Sequence, residues 1–194
     1  MKEEIEKHLA RAKELHGDVC PGLVLGTRLA LVAMKSLGLN PDAHHRDLIV
    51  FVEIDRCMTD AVQAVTGCSL GHRNLKYVDY GKFATVLFDG KSRRAVRASP
   101  GRRRTEGVVD IVNYYLTAPD DELVRIEDVE VCVGEDDLPG KPQSKVLCDF
   151  CGEIIMDKRE VYVGGDTICR ACADGAYYRL KHRRRRAGVV GIPR

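Results

Sequence analysis

His16, Asp18 and Cys20 fall within five residues, in a stretch, His16-Gly17-Asp18-Val19-Cys20-Pro21-Gly22, that closes one helical pattern and opens another. Pro21 suits the first position of a helix, where its missing N–H costs nothing. That puts Cys20 at a helix N-terminus, where the positive end of the macrodipole favours thiolate over thiol. Such a thiolate can bind a metal or attack an electrophile, and His16, four residues upstream, can join the same site. The plain alternative is a helix–loop–helix corner with an exposed His16 and with Cys20 as a small buried apolar residue. Cys57 weighs against it, because this second thiol also stands at the start of a helical pattern, just after an apolar stretch. Cys68 and His72 then lie four apart in a loop. An imidazole and two thiolates at His16, Cys20 and Cys57 favour zinc or iron over magnesium. Three ligands leave a fourth position for water or substrate, unless Cys68 or Asp18 fills it. A thiolate–imidazolium pair of Cys20 with His16 acting as nucleophile is a lesser option.

The second concentration of chemistry is near the C-terminus. Cys148-Asp149-Phe150-Cys151 and Cys169-Arg170-Ala171-Cys172 are two CxxC pairs separated by 17 residues. Each CxxC turn points two sulfurs at one ion, so the four suit a closed tetrahedral site of structural zinc. A segment this short cannot hold a fold by hydrophobic burial, and a bound ion supplies the missing stability.

The elements around these residues follow from periodicity. Residues 2–15 carry Ile5, Leu9, Ala12 and Leu15 as one helical stripe. Residues 21–37 are apolar on nearly every face, the mark of a buried helix. Within them Gly26 and Ala30 permit a close neighbour, and Gly38 stops the helix. Residues 48–54 read as a buried strand, 58–65 as a helix ended by Gly67, and 82–88 as a strand. Asp89-Gly90 predicts a tight hairpin, with a basic return strand over 91–98 guarding a sheet edge by its charges. A helix over 106–116 and a strand over 123–133 follow, with Cys132 in the core or on the sheet face.

These elements predict an α+β fold: a core domain over 1–137 of mixed or antiparallel sheet packed with helices, a linker over 138–145, a zinc ribbon over 146–178 and a basic tail over 179–194. With 31 Lys and Arg against 29 Asp and Glu, the chain as a whole is no polyelectrolyte. Its charges are nonetheless blocked, basic at 91–104 and 181–186 and acidic at 120–137. The ribbon and basic stretches admit nucleic acid as a partner, although no aromatic-rich RNA-reading motif accompanies them. No run of 18 apolar residues predicts a membrane helix, and the charged N-terminus lacks the apolar stretch of a signal peptide. A cytoplasmic setting is expected, where eight cysteines argue for metal or redox chemistry over disulfides. No glycine-rich phosphate loop is present, so no nucleotide cofactor is expected.

In three pieces the chain resembles the FmdE family of formylmethanofuran dehydrogenase proteins. They are His16 to Gly22 followed by Gly26; Glu53 to Cys57 with Thr59-Asp60-Ala61-Val62-Gln63 and Thr66-Gly67-Cys68; and Asn74-Leu75 with Asp79-Tyr80-Gly81-Lys82-Phe83-Ala84. Asp18 departs from the family's pattern, which has a second histidine there. It could orient His16 or ligate metal itself. The resemblance implies an α+β core whose cavity is lined by His16, Cys20 and Cys57, a homodimer, and in some members a zinc ribbon exchanged between protomers. It also implies an association with the molybdenum or tungsten enzyme of the first carbon-dioxide-reducing step of methanogenesis. Accessory metal or cofactor handling beside such a redox enzyme is the expected role. A stand-alone metal-dependent enzyme and a nucleic-acid-binding regulator are the alternatives.

Overall fold

The computed structural model describes residues 2–101, 107–134, 137–179 and 181. Arg102 to Arg104 of the first basic block, Glu106 at the start of an expected helix, and the arginine run at 183–186 lie outside the described residues. Two units emerge, Met1–Gly140 and Lys141–Arg194.

The first unit is built on α2 (Pro21–Ser36). Leu23, Val24, Leu25, Leu29, Ala30, Leu31, Ala33 and Met34 of this helix are all buried, as a helix apolar all round requires. It packs against α1 (Lys2–His16) and α3 (Cys57–Thr66), which also meet each other, and against a five-stranded sheet. The strands are β1 (Leu48–Val52), β2 (Leu75–Tyr77), β3 (Thr85–Asp89), β4 (Arg94–Pro100) and β5 (Val124–Val129), in the order β2-β1-β3-β4-β5. β1 runs parallel to β2 and antiparallel to β3, and the β3–β4 and β4–β5 pairs are antiparallel, so the sheet is mixed. Alternation sorts its side chains: Leu48, Val50, Val52, Leu87, Val96 and Ala98 join the helices in the main core, while Ile49, Phe88 and Ala95 form a separate cluster on the other face. The expected α+β class with a mixed sheet and packed helices is the class observed.

Gly26 sets the closeness of α2 to α3. A Cβ there would lie 2.8 Å from the Met58 Cα and 3.0 Å from the Ala61 Cβ, so only glycine lets the two backbones meet. Arg28, in the same helix and 1% exposed, reaches two further elements, α4 (Ile111–Thr117) and α5 (Asp120–Leu123). It donates to the Tyr115 and Ala118 carbonyls at 2.8 Å each and pairs with Asp120. A buried guanidinium with its N–H groups so placed is stabilised rather than stranded.

Several expectations are corrected. Leu15 does not complete the α1 stripe: it is 55% exposed, and fully buried His8 joins Ile5, Leu9 and Ala12 on the inner side. The β3–β4 connection is longer than a two-residue turn, spanning Gly90 to Arg93, with the Asp89 carboxylate accepting from the Lys91 and Ser92 N–H groups and from the Ser92 hydroxyl. β4 is no edge strand, since β5 pairs along its outer side. Its charges are partnered instead of guarding: Arg97 clamps Glu53 with bonds of 2.7 and 2.8 Å, and Arg94 faces Asp128. β5 stops at Val129, so Cys132 is exposed beyond the sheet instead of lying on it.

The second unit holds β6 (Lys145–Leu147), β7 (Ile154–Met156), β8 (Glu160–Val163), β9 (Asp166–Cys169) and α6 (Arg170–Asp174). They form two antiparallel two-stranded sheets, β6–β7 and β8–β9. Gly164 and Gly165 make the β8–β9 turn with φ of 62° and 99°, the paired positive values that a tight hairpin demands of its central residues. Among the described residues of this unit, Cys148 and Ile155 are the buried hydrophobics. That is too little to hold a fold without a cross-link or an ion.

No helix among the described residues is long and apolar enough to cross a membrane.

Candidate metal centre

Three chain segments deliver the first cluster. α1 ends on His16, and Gly17, with φ of 97°, turns the chain back at once. Cys20 then caps α2 from an extended conformation, and its Sγ accepts the Leu23 N–H at 3.3 Å. β1 feeds through Glu53 into a turn where the Thr59 hydroxyl donates to the Ile54 carbonyl at 2.7 Å, and Cys57 opens α3. Gly22 lets the first turn of α2 press against Cys57, for a Cβ there would meet the Cys57 Cβ at 3.3 Å and the Phe83 ring at 3.7 Å. One ligand atom from each of His16, Cys20 and Cys57 lies within 4.8 Å of the others, and all three side chains are half-buried.

The His16 ring is held at both ends. Its Nδ1 lies 2.7 Å from the Asp60 carboxylate and its Nε2 3.7 Å from the Cys20 sulfur. The bond to Asp60 raises the imidazole pKa above its ordinary value, against a smaller opposing effect of burial. Burial works to raise the Cys20 pKa, but the Leu23 N–H together with Cys57 and His16 outweighs it and draws the thiol down. Cys57 moves the other way: the hydrogen bond it shares with Cys20 and its partial desolvation raise its pKa above the ordinary value. Two thiols whose acidities move in opposite directions and an oriented imidazole thus share one hole.

This donor set fits a transition metal. Ligands at about 2.0–2.3 Å on a tetrahedral ion lie roughly 3.3–3.8 Å from each other. The 3.7 Å between Cys20 Sγ and His16 Nε2 matches that spacing. A carboxylate on the far ring nitrogen is the usual partner of a metal-bound histidine, fixing its tautomer and orientation.

The second cluster is Cys148, Cys151, Cys169 and Cys172, whose sulfurs also lie within 4.8 Å of one another. Cys151 and Cys169 are 3.9 Å apart. The Cys148 sulfur accepts the N–H groups of Cys151 at 3.5 Å and Cys169 at 3.3 Å. Burial opposes ionisation of Cys148, yet these N–H donors prevail and bring it down to about 6. Desolvation and the neighbouring thiols push Cys151 and Cys172 up. Four sulfurs around one hole leave no open position, as befits a closed structural site.

Two expected participants are elsewhere. Cys68 is buried in the main core with its thiol toward the Leu48 carbonyl at 3.6 Å. Asp18 is exposed and stands outside the ligand group. The residue that orients His16 is Asp60, which sequence reasoning places only within a motif and gives no role. A signal was there: Asp60 follows Cys57 by three positions, the spacing that puts two residues on one helix face.

The family model described as "FmdE, Molybdenum formylmethanofuran dehydrogenase operon" matches residues 15–125, a span that takes in His16, Cys20, Cys57 and Asp60 but not the four C-terminal cysteines. A curated protein of Archaeoglobus fulgidus, described as a probable S-adenosyl-L-methionine-binding protein, is 40% identical over 210 residues, covering 90% of this chain and 54% of that protein. The chain therefore spans about half the length of that relative. Among solved structures, a tungsten formylmethanofuran dehydrogenase FmdE-like protein from Syntrophus aciditrophicus is similar with a TM-score of 0.61 and 22% identity, over 90% of this chain and 94% of that one. At that identity the likeness is one of fold.

Proposed function

We propose a function from the premise that this chain belongs to the FmdE family: it is a metal-handling accessory protein, with a transition-metal site at His16, Cys20 and Cys57 and a structural zinc in the C-terminal ribbon. The observation that carries this reading is the convergence of three ligand atoms, from α1, α2 and α3, to within 4.8 Å of one another. Zinc or iron suits two thiolates and an imidazole. Bound there, the ion would act as a Lewis acid with one coordination position open. Asp60 holds the His16 ring so that Nε2 faces the ion, and the Leu23 N–H donates to the Cys20 sulfur and favours its ionised form. The partner this reading favours is a molybdenum or tungsten enzyme of one-carbon metabolism, engaged by a homodimer of the chain. The family's description, which names a molybdenum formylmethanofuran dehydrogenase operon, supports that choice.

Elemental analysis of the purified protein tests the site. Two metals per chain are expected, and one in the Cys20→Ser, Cys57→Ser double variant. Two metals retained by the double variant would remove the core site from the account. Co-purification of a molybdenum or tungsten enzyme with the tagged chain tests the partner, and its absence under native expression would count against the accessory role.

A second reading is favoured by the 40% identity to the Archaeoglobus fulgidus protein: the chain binds S-adenosyl-L-methionine. Calorimetric titration separates the two. Saturable heat with that compound, abolished in His16→Ala, would place the ligand at the same hole, and no heat would leave the property to the half of the relative this chain does not span.

A further inference from the structure

Two of the core donors are sulfurs, one on the residue that caps α2 and one on the first residue of α3, and both are partly open to solvent. We propose that Cys20 and Cys57 form a reversible dithiol–disulfide centre, oxidised by hydroperoxides, in which Cys20 is the reacting thiol and Cys57 the resolving one. Formation of the disulfide removes two ligands at once, so the core metal is released. That last consequence rests on the metal reading above, whereas the disulfide itself does not.

The geometry assigns the roles. Cys20 Sγ accepts the Leu23 N–H at the head of the 16-residue α2, where negative charge on the attacking sulfur is stabilised. It attacks the hydroperoxide, the O–O bond breaks, one oxygen stays on sulfur as S–OH, and the other leaves as alkoxide or hydroxide. The departing oxygen takes up from solvent the proton that the Cys20 thiol gave up, because His16 Nε2, 3.7 Å from that sulfur and braced by Asp60, faces the ion in the loaded site. Cys57 then attacks the sulfenic sulfur, the S–O bond breaks, and the leaving hydroxide departs as water with the Cys57 proton. In sum, two thiols and one hydroperoxide give one disulfide, one alcohol (water when the oxidant is hydrogen peroxide) and one water. The sulfurs lose two electrons and the peroxide gains them. The two sulfurs lie within 4.8 Å of each other, and forming the bond requires them to close to about 2.05 Å.

The other cysteines are placed differently. Cys68 is sealed in the apolar core, and Cys132 is exposed outside both thiol clusters. Cys148 is buried, and with Cys151, Cys169 and Cys172 it makes a four-sulfur group that a bound ion closes, leaving no position for an oxidant. Selectivity for the Cys20–Cys57 pair is therefore expected when oxidant is limiting.

The test uses the full zinc-loaded chain, one equivalent of hydrogen peroxide and a chromophoric zinc indicator, followed by peptide mapping without reduction. The expected result is loss of two titratable thiols per chain, a cross-linked peptide pair containing Cys20 and Cys57, release of one of two zinc ions, and reversal by dithiothreitol. In Cys57→Ser the sulfenic acid has no resolving thiol, so dimedone labelling of Cys20 should rise about tenfold over the wild type. Cys20→Ser should show no matching rise at Cys57. Cys20 and Cys57 remaining free while ribbon cysteines oxidise, cross-links between chains only, or equal labelling of the two single variants would each overturn the proposal. A chain that starts with one zinc yet still forms the Cys20–Cys57 bond would contradict the metal reading and leave the dithiol centre standing.

Discussion

Asp60 carries the sharpest prediction at the level of single residues. It accepts from His16 Nδ1 at 2.7 Å and sets the ring's direction. Asp60→Asn keeps the shape but removes the charge, so core-metal affinity should fall about 10- to 100-fold. Metal affinity at the four-cysteine site should be unaffected, and competition with a chromophoric chelator reads both sites. Unchanged core affinity would mean that Asp60 does not orient a ligand. Cys68 makes a prediction of another kind, because burial pushes its thiol up from 9.0 to about 11. The folded chain then holds a proton that the unfolded chain gives up above pH 9, so unfolding becomes easier as pH rises from about 9 to about 11. Denaturant titrations in that range should show the loss, and Cys68→Ala should flatten it while leaving a small cavity. Part of this site was readable before folding. Pro21 after Cys20 announced a helix start, and capping chemistry is local. The spacing from Cys57 put Asp60 on the right helix face, but its pairing with His16 spans 44 positions and depends on how α1 docks against α3.

Among elements, the contact between α2 and α3 decides whether Cys20 and Cys57 meet. Gly26 is the hinge of that contact, since a Cβ would press on the Met58 backbone, which cannot rotate away. Gly26→Val should cost about 1–3 kcal/mol by overpacking, measured by chemical denaturation, and should weaken the core metal site by forcing the helices apart. Gly71→Ala is the control, because nothing lies within 4 Å of a Cβ there. A Gly26→Val protein of unaltered stability and metal content would show that the helices tolerate separation. The buried helix was legible because 3.6-residue periodicity with no polar face has one packing solution. β4 was not. Its arginines suggested an exposed edge, yet Glu53, Glu127 and Asp128 partner them from β5 and from the end of β1. Partners 30 or more positions away leave no trace in a strand's own composition.

At the scale of the whole molecule, the chain divides into a unit with a helix-packed core and a unit with two buried hydrophobics among its described residues. Removal of metal by a chelator should therefore unfold the described part of the second unit and leave the secondary structure of the first in place. Amide spectra of the chelated protein check this, and a chain that melts as one or not at all would contradict it. The paired CxxC motifs made the second unit legible, because four thiols in so few residues have few other uses. The central claim concerns the first unit: three side chains from separate helices hold a metal. Anomalous-scattering maps from crystals of the natively purified protein, collected at the zinc and iron edges, test it most directly. Two peaks per chain are predicted, one among Cys148, Cys151, Cys169 and Cys172, the other bonded to His16, Cys20 and Cys57. A single peak in the ribbon, with the His16–Cys20–Cys57 hole empty at both edges, would contradict it.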